Sequence, residues 1–172
     1  MNINIKELCK QIKKSHYFIW SLKGGINYLT NRHWAIKYET LPREVLVQLF
    51  TIYAEFPEEG TSLVYQGAFG VSKLDKVDIK KVFDDAQKDQ IAGKVTPFIK
   101  VSGVLSMRVI KCNEKFIFVS DDYLKNISDV EESEPFCKGQ LNPVTFCNNN
   151  FLVLPYRMQT VEVEILQELV TT

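Results

Sequence analysis

The sequence predicts an α+β protein of antiparallel hairpins joined by short helices. Three observations predict it. Helical apolar stripes are short and well separated. Strand-like runs follow one another across tight turns rich in Gly and Asn. The order helix–strand–strand–strand occurs three times, over 4–38, 77–119 and 121–157, with no sequence repeat beneath it. One domain over 1–172 is expected, divisible into sub-units 1–60 and 61–158 and a C-terminal helix over 160–172.

Each element has a local reason. Asn4-Ile-Lys-Glu7 reads as a capping box, and Ile5, Leu8, Cys9 and Ile12 then share one helix face ending near Lys14. "HYFIWSL" (16–22), "INYLT" (26–30) and "HWAIKY" (33–38) are strands separated by Lys23-Gly-Gly25 and Asn31-Arg32, with Trp34, Ile36 and Tyr38 alternating onto one side. Pro42 opens a second helix with an apolar stripe through Val45, Leu49 and Tyr53. "TSLVYQ" is a short strand and "GAFGVSKL" a loop. A third helix over 77–88 turns Ile79, Val82, Phe83 and Ala86 inward. Three strand candidates follow, over 94–100, 104–110 and 115–119, and Pro97 restricts the first to a sheet edge. Ser120 begins a short helix, "DDYLKNI", with two carboxylates in its first turn, and an acidic loop follows over 128–135. "PFCKGQL", "VTFC" and "FLVL" are the last strands, with Asn148-Asn149-Asn150 as the final turn. Phe151 to Leu154 are apolar on both faces, so this strand is expected in a sheet interior, with Pro155 ending its ladder.

Composition narrows the function classes. The chain has 172 residues, 45% of them hydrophobic, enough for a packed core. It carries 21 basic and 21 acidic residues, so no global field steers it to nucleic acid or to an anionic membrane. Four cysteines, at 9, 112, 137 and 147, form no C-x-x-C pair, and there are only two histidines, so no zinc spacing is present. The N-terminus lacks a basic-then-apolar signal pattern, and no apolar run approaches the roughly 20 residues that span a bilayer. The expectation is a soluble cytoplasmic protein with buried reduced thiols, no cofactor and no metal.

Two groups of residues are candidates for binding. Lys6, Lys10, Lys13 and Lys14 stand at i, i+4, i+7 and i+8 on the first helix. Such a row either follows a phosphate backbone or is a solvated helix face. Aromatic residues crowd the first hairpins, as core, as stacking platforms for unpaired bases, or as anchors of a protein interface. Tyr28, Trp34, Tyr156 and Arg157 are the candidate protein contacts, with Arg157 also read as a surface ion-pair partner. The pairs Asp84-Asp85, Asp121-Asp122 and Glu131-Glu132 point about 100° apart on a helix and suit neither metal sharing nor acid/base work. His16 and His33 sit in no recognisable catalytic motif, and "GAFG" lacks the phosphate-loop pattern, so no catalysis is expected.

"KFIFVSDDYLKNI", followed by a hairpin ending "FLVLPYRM", resembles the last domain of bacterial DNA polymerase sliding clamps. The matching residues are Tyr123, Leu124, Leu154, Pro155, Arg157 and Met158. The stretch "KGGINYLTNRHWAIKY" and the late "YLK" are also similar to small phage proteins of low-GC Gram-positive bacteria. The resemblance covers about a quarter of the chain. It implies a clamp-like fold and a non-catalytic accessory role in phage DNA replication or recombination. A chain this short could encircle DNA only as a homo-oligomer. The other reading is a small inhibitor of a host defence nuclease, acting by direct protein binding. The expected partners are therefore a host or phage protein, or DNA, and no membrane.

Overall fold

The computed structural model describes residues 3–75 and 77–157. The chain opens with helix α1 (Ile5–Lys14) and a meander of β1 (Tyr17–Lys23), β2 (Ile26–Thr30) and β3 (Trp34–Tyr38). Helix α2 (Arg43–Tyr53) leads to the hairpin β4 (Ser62–Gln66) and β5 (Gly70–Leu74). Helix α3 (Ile79–Ala86) and the short β6 (Ile91–Ala92) precede a second meander, β7 (Lys94–Ser102), β8 (Leu105–Cys112) and β9 (Lys115–Ser120). Helix α4 (Asp121–Leu124) and a 3-10 turn (Val130–Glu132) lead to β10 (Phe136–Cys137), β11 (Val144–Phe146), β12 (Phe151–Val153) and β13 (Pro155–Tyr156). The α+β class is thus the observed one. The C-terminal helix expected over 160–172 lies outside the described residues.

Among the described residues the strands form two antiparallel sheets. The larger runs β5-β4-β1-β2-β3-β12-β11-β10-β6, and the smaller runs β13-β9-β8-β7. The larger sheet draws strands from both expected sub-units. Its early and late strands meet where β3 pairs β12, Trp34 opposite Val153 and Ile36 opposite Phe151.

Side-chain alternation divides the large sheet into two buried faces. Phe18, Trp20, Leu29, Trp34, Ile36, Phe151 and Val153 point to one side, where Leu8 and Ile12 of α1 and Val45 and Leu49 of α2 cover them. The same core takes Ile110, Ile117 and Val119 from the small sheet. Ile19, Tyr28, Ala35, Val64 and Leu152 point to the opposite side, under Ile79 and Phe83 of α3. The strand over Phe151–Val153 is therefore interior and covered on both faces, as its run of apolar residues implies.

The structure differs from the sequence reading at several points. "GVSKL" is strand β5, not loop. It is exposed along its whole length, so it carries no apolar face to announce it. Pro155 does not simply end a ladder. The chain leaves the large sheet at Leu154, whose N–H donates to His33 O at 2.8 Å, and Pro155-Tyr156 joins β9 of the small sheet. Only Phe136-Cys137 of "PFCKGQL" is strand. Glu7 does not complete a capping box: Asn4 Oδ1 accepts from the Glu7 N–H at 3.2 Å, while the Glu7 carboxylate pairs with Lys10. Among the described residues, Ile3 forms an isolated bridge with Ile127, and the Asn4 N–H donates to Asn126 O at 2.8 Å, which fixes the start of α1 to the end of α4.

Arg108 ties four elements together. It is 8% exposed, on β8, and its Nε meets Asp121 Oδ1 of α4 at 2.8 Å. Its NH1 meets Glu131 Oε1 of the 3-10 turn at 2.9 Å and donates to Thr96 O of β7 at 3.4 Å. The Asp121 pair is shielded from water, whereas Glu131 is largely exposed and contributes little.

This packing has two measurable consequences. Arg108→Ala strands the shielded Asp121 carboxylate and is expected to cost about 3 kcal/mol of stability, measured by urea unfolding. Tyr53 donates its hydroxyl to Phe18 O at 2.8 Å, and burial pushes its pKa well above the ordinary 10.0, as it does for Tyr38. The folded state keeps these protons while the unfolded chain releases them near the ordinary value. Their stabilising contribution is therefore full below about pH 10 and is lost as pH rises beyond it. Unfolding free energy should fall on the alkaline side, and Tyr53→Phe should flatten that slope while costing about 1 kcal/mol at pH 7.

Candidate nucleic-acid-binding cleft

The first helix brings its lysines to the surface because Leu8 and Ile12 occupy the opposite side. Lys6, Lys10, Lys13 and Lys14 are all exposed. Lys10 pairs with Glu7 at 3.0 Å. Lys6, Lys13 and Lys14 have no ion-pair partner among the described residues. Lys13 and Lys14 also occupy the last helical turn, where they offset the negative end of the helix dipole.

Beside α1 lies a cleft of about 520 Å³, open to solvent. One wall is α1, through Lys10 and Lys14. The opposite wall is α4 and the residue that follows it, through Asp122, Tyr123 and Lys125. Lys125 pairs with Asp122, and that bond raises the lysine's pKa, so this cation is held in its charged form. The floor comes from the strand ends: Tyr17 at the start of β1, and Asn31 and His33 in the turn before β3. His16 completes the rim.

Hydrogen bonds hold these walls at fixed separation. Gln11 Nε2 donates to Asp122 O at 2.7 Å, and Asn126 Nδ2 donates to Gln11 Oε1 at 2.8 Å, so one glutamine bridges α1 to α4. Asn126 is fully buried, which makes this tether part of the core rather than a surface contact. On the floor, Asn31 Oδ1 accepts from the N–H groups of His33 at 3.0 Å and Trp34 at 3.1 Å. This turn places Arg32 in the left-handed region, φ 76°, and leaves its side chain at the surface. The Arg32 guanidinium lies 3.5 Å from the centroid of the Tyr17 ring, and His33 stacks on Tyr123 with centroids 5.7 Å apart and planes 17° apart. Burial, and after it Tyr156, raise the Tyr123 pKa, so its ring is a neutral platform.

The cleft therefore offers three lysines and two imidazoles around two aromatic rings, with two carboxylates already engaged by lysines, and Arg32 lies over the Tyr17 ring without lining it. Such a set suits a phosphate-bearing ligand with a flat ring system. Among the described residues no group of three or more His, Cys, Asp or Glu is placed to hold a metal ion, and no helix is long and apolar enough to cross a membrane.

The candidates from sequence meet this site unevenly. Lys10 and Lys14 line it, while Lys6 and Lys13 continue the row along α1 outside it. Tyr28 and Trp34, read as protein contacts, are corrected: they are 4% and 0% exposed. Tyr28 packs on Phe83 of α3, ring centroids 5.7 Å apart, and Trp34 packs between Phe18 and Phe151. Tyr156 is half-buried against Met107, Val109, Phe116 and Phe118 on the outer face of the small sheet, and Arg157 is exposed. Sequence reasoning missed Arg32, His33 and Lys125 as site residues. The one local signal was the Asn31-Arg32 turn, which marks an outward-facing tip.

None of the four cysteines is in a disulfide. Cys112 and Cys137 are buried, and Cys9 and Cys147 are half-buried.

No family model matches the chain, and neither a curated protein nor a solved structure matches it.

Proposed function

We propose that this protein is a non-catalytic accessory protein that binds the phosphate backbone of nucleic acid through α1 and the adjoining cleft. The observation that carries this reading is the convergence of Lys10, Lys14, Lys125, His16 and His33 on one concave surface, with Arg32 over its Tyr17 ring, in a chain whose total charge is balanced. A local cationic face on a neutral protein binds by position rather than by overall field. The similarity of the sequence to phage proteins supports setting this role in the DNA metabolism of a phage or integrated element. In the clamp-like form of the reading, several copies close around DNA, and preferential retention on closed circles over linear molecules is its signature.

A second reading has its own observation. The β7–β8 hairpin projects Val101 and Val104, 70% and 98% exposed, and Phe50 of α2 packs against Phe56 at the surface, rings tilted and centroids 5.4 Å apart. Exposed apolar groups of this kind suit a protein partner, as an inhibitor of a host nuclease requires.

The triple variant Lys6→Gln, Lys13→Gln, Lys14→Gln keeps long helix-forming side chains and removes charge. It should weaken binding to DNA of any sequence and reduce the slope of log K against log salt by about 0.9 for each duplex phosphate no longer neutralised. Unchanged DNA affinity would overturn the first reading. A tagged-protein pull-down with and without nuclease separates the second: a host protein retained after nuclease, and absent with Val101→Asp, Val104→Asp, would establish it.

A further inference from the structure

Resting on the backbone-binding reading above, we infer that the cleft takes single-stranded nucleic acid, one unpaired base within it and the following phosphates along α1. The volume of about 520 Å³ falls within the range of about 300–1,000 Å³ of pockets that take small ligands, room for one nucleobase. Its aromatic walls are the second argument. Arg32 covers a face of Tyr17 and His33 covers a face of Tyr123, and the exposed His33 imidazole and Arg32 guanidinium are the planes on which a base can stack. Stacking on such platforms requires a base whose π-face is free, which a duplex interior does not supply.

The charge arrangement gives direction to the strand. Glu7 and Asp122 lie inside the cleft and are engaged by Lys10 and Lys125. These carboxylates repel a phosphate placed between the walls, but they can accept from an N–H on the edge of a base, the ring N3–H of thymine or uracil as well as an exocyclic amine. Lys14 at the rim and Lys13 beyond it have no ion-pair partner among the described residues, and Lys6 lies two turns back along the same helix. Base inside and phosphates outside is the order this pattern favours. The lysine row extends over about 12 Å of helix, from the rise of about 1.5 Å per residue. It continues well past the cleft, so the ligand it fits is a polymer and not a single nucleotide.

The test is fluorescence anisotropy with a labelled oligo(dT) of about twelve nucleotides, the matching oligo(U), a hairpin duplex, and thymidine monophosphate as competitor. A single strand should bind at least about ten-fold tighter than the duplex, with a salt slope near −2 for about three phosphates at roughly −0.7 each. His33→Ala and Arg32→Ala alter exposed side chains, so folding is retained. Each should weaken single-strand binding roughly five- to hundred-fold, by a larger factor than it weakens duplex binding. Oligo(dT) and oligo(U) binding alike, or one above the other, says whether the sugar is read, and either result supports the inference if both exceed the duplex. Equal affinity for duplex and single strand, with no effect of His33→Ala, overturns this inference while the backbone reading stands. Competition by the mononucleotide at the concentration of the oligomer overturns the polymer requirement. Binding to none of these overturns both readings.

Discussion

The pairing of β3 with β12 is the contact on which the rest of the structure depends. It joins Trp34, Ala35 and Ile36 to Val153, Leu152 and Phe151, residues from opposite ends of the described chain. Without it the large sheet would be two separate meanders, each with an apolar edge. With it, Trp34, Ile36, Phe151 and Val153 form a continuous floor under α1 and α2. Ala35 and Leu152 do the same under α3. Register is fixed because both faces are buried, so a slip of one residue would exchange a tryptophan for an alanine in the main core.

That seam also sets the geometry of the cleft. The turn at Asn31 to His33 is the entry to β3, and its far side is held by the Leu154 N–H on His33 O as the chain passes from one sheet to the other. Tyr123 arrives from α4, which Arg108 anchors to the small sheet through Asp121. The His33–Tyr123 stack is thus where the two sheets meet at the surface. Gln11 and Asn126 then set the distance from this stack to the lysines of α1. The cleft is thus bounded by side chains whose positions are set by contacts between both sheets, α1 and α4.

Much of the fold was legible because its rules are local. The Asn4 cap, the stripe of Leu8 and Ile12, the Gly-Gly turn and the alternation of Trp34 and Ile36 each depend on neighbours within a few residues. The errors fall where tertiary contact decides. Tyr28 stands on the face of β2 that alternation leaves for solvent, and only the arrival of α3 buries it. β5 has no apolar side and is strand only because β4 offers it a partner. Of the candidate site, the two lysines of α1 could be read from helical spacing. Lys125 could not, because the glutamine and asparagine that bring α4 to α1 are separated by 115 residues.

The bridge between Ile3 and Ile127, with Asn4 on Asn126, has a consequence for synthesis. A ribosome delivers α1 long before the residues that fasten its beginning. At about 5–20 residues per second, the interval is roughly six to twenty-five seconds. Through that period the beginning of α1 and the open edge of β3 lack their late partners, although β1 to β3 and α2 are already there to pack on the apolar face of α1. An unpaired β3 edge is a template for pairing with another chain, so the interval before β12 is made is when association between nascent chains is most open.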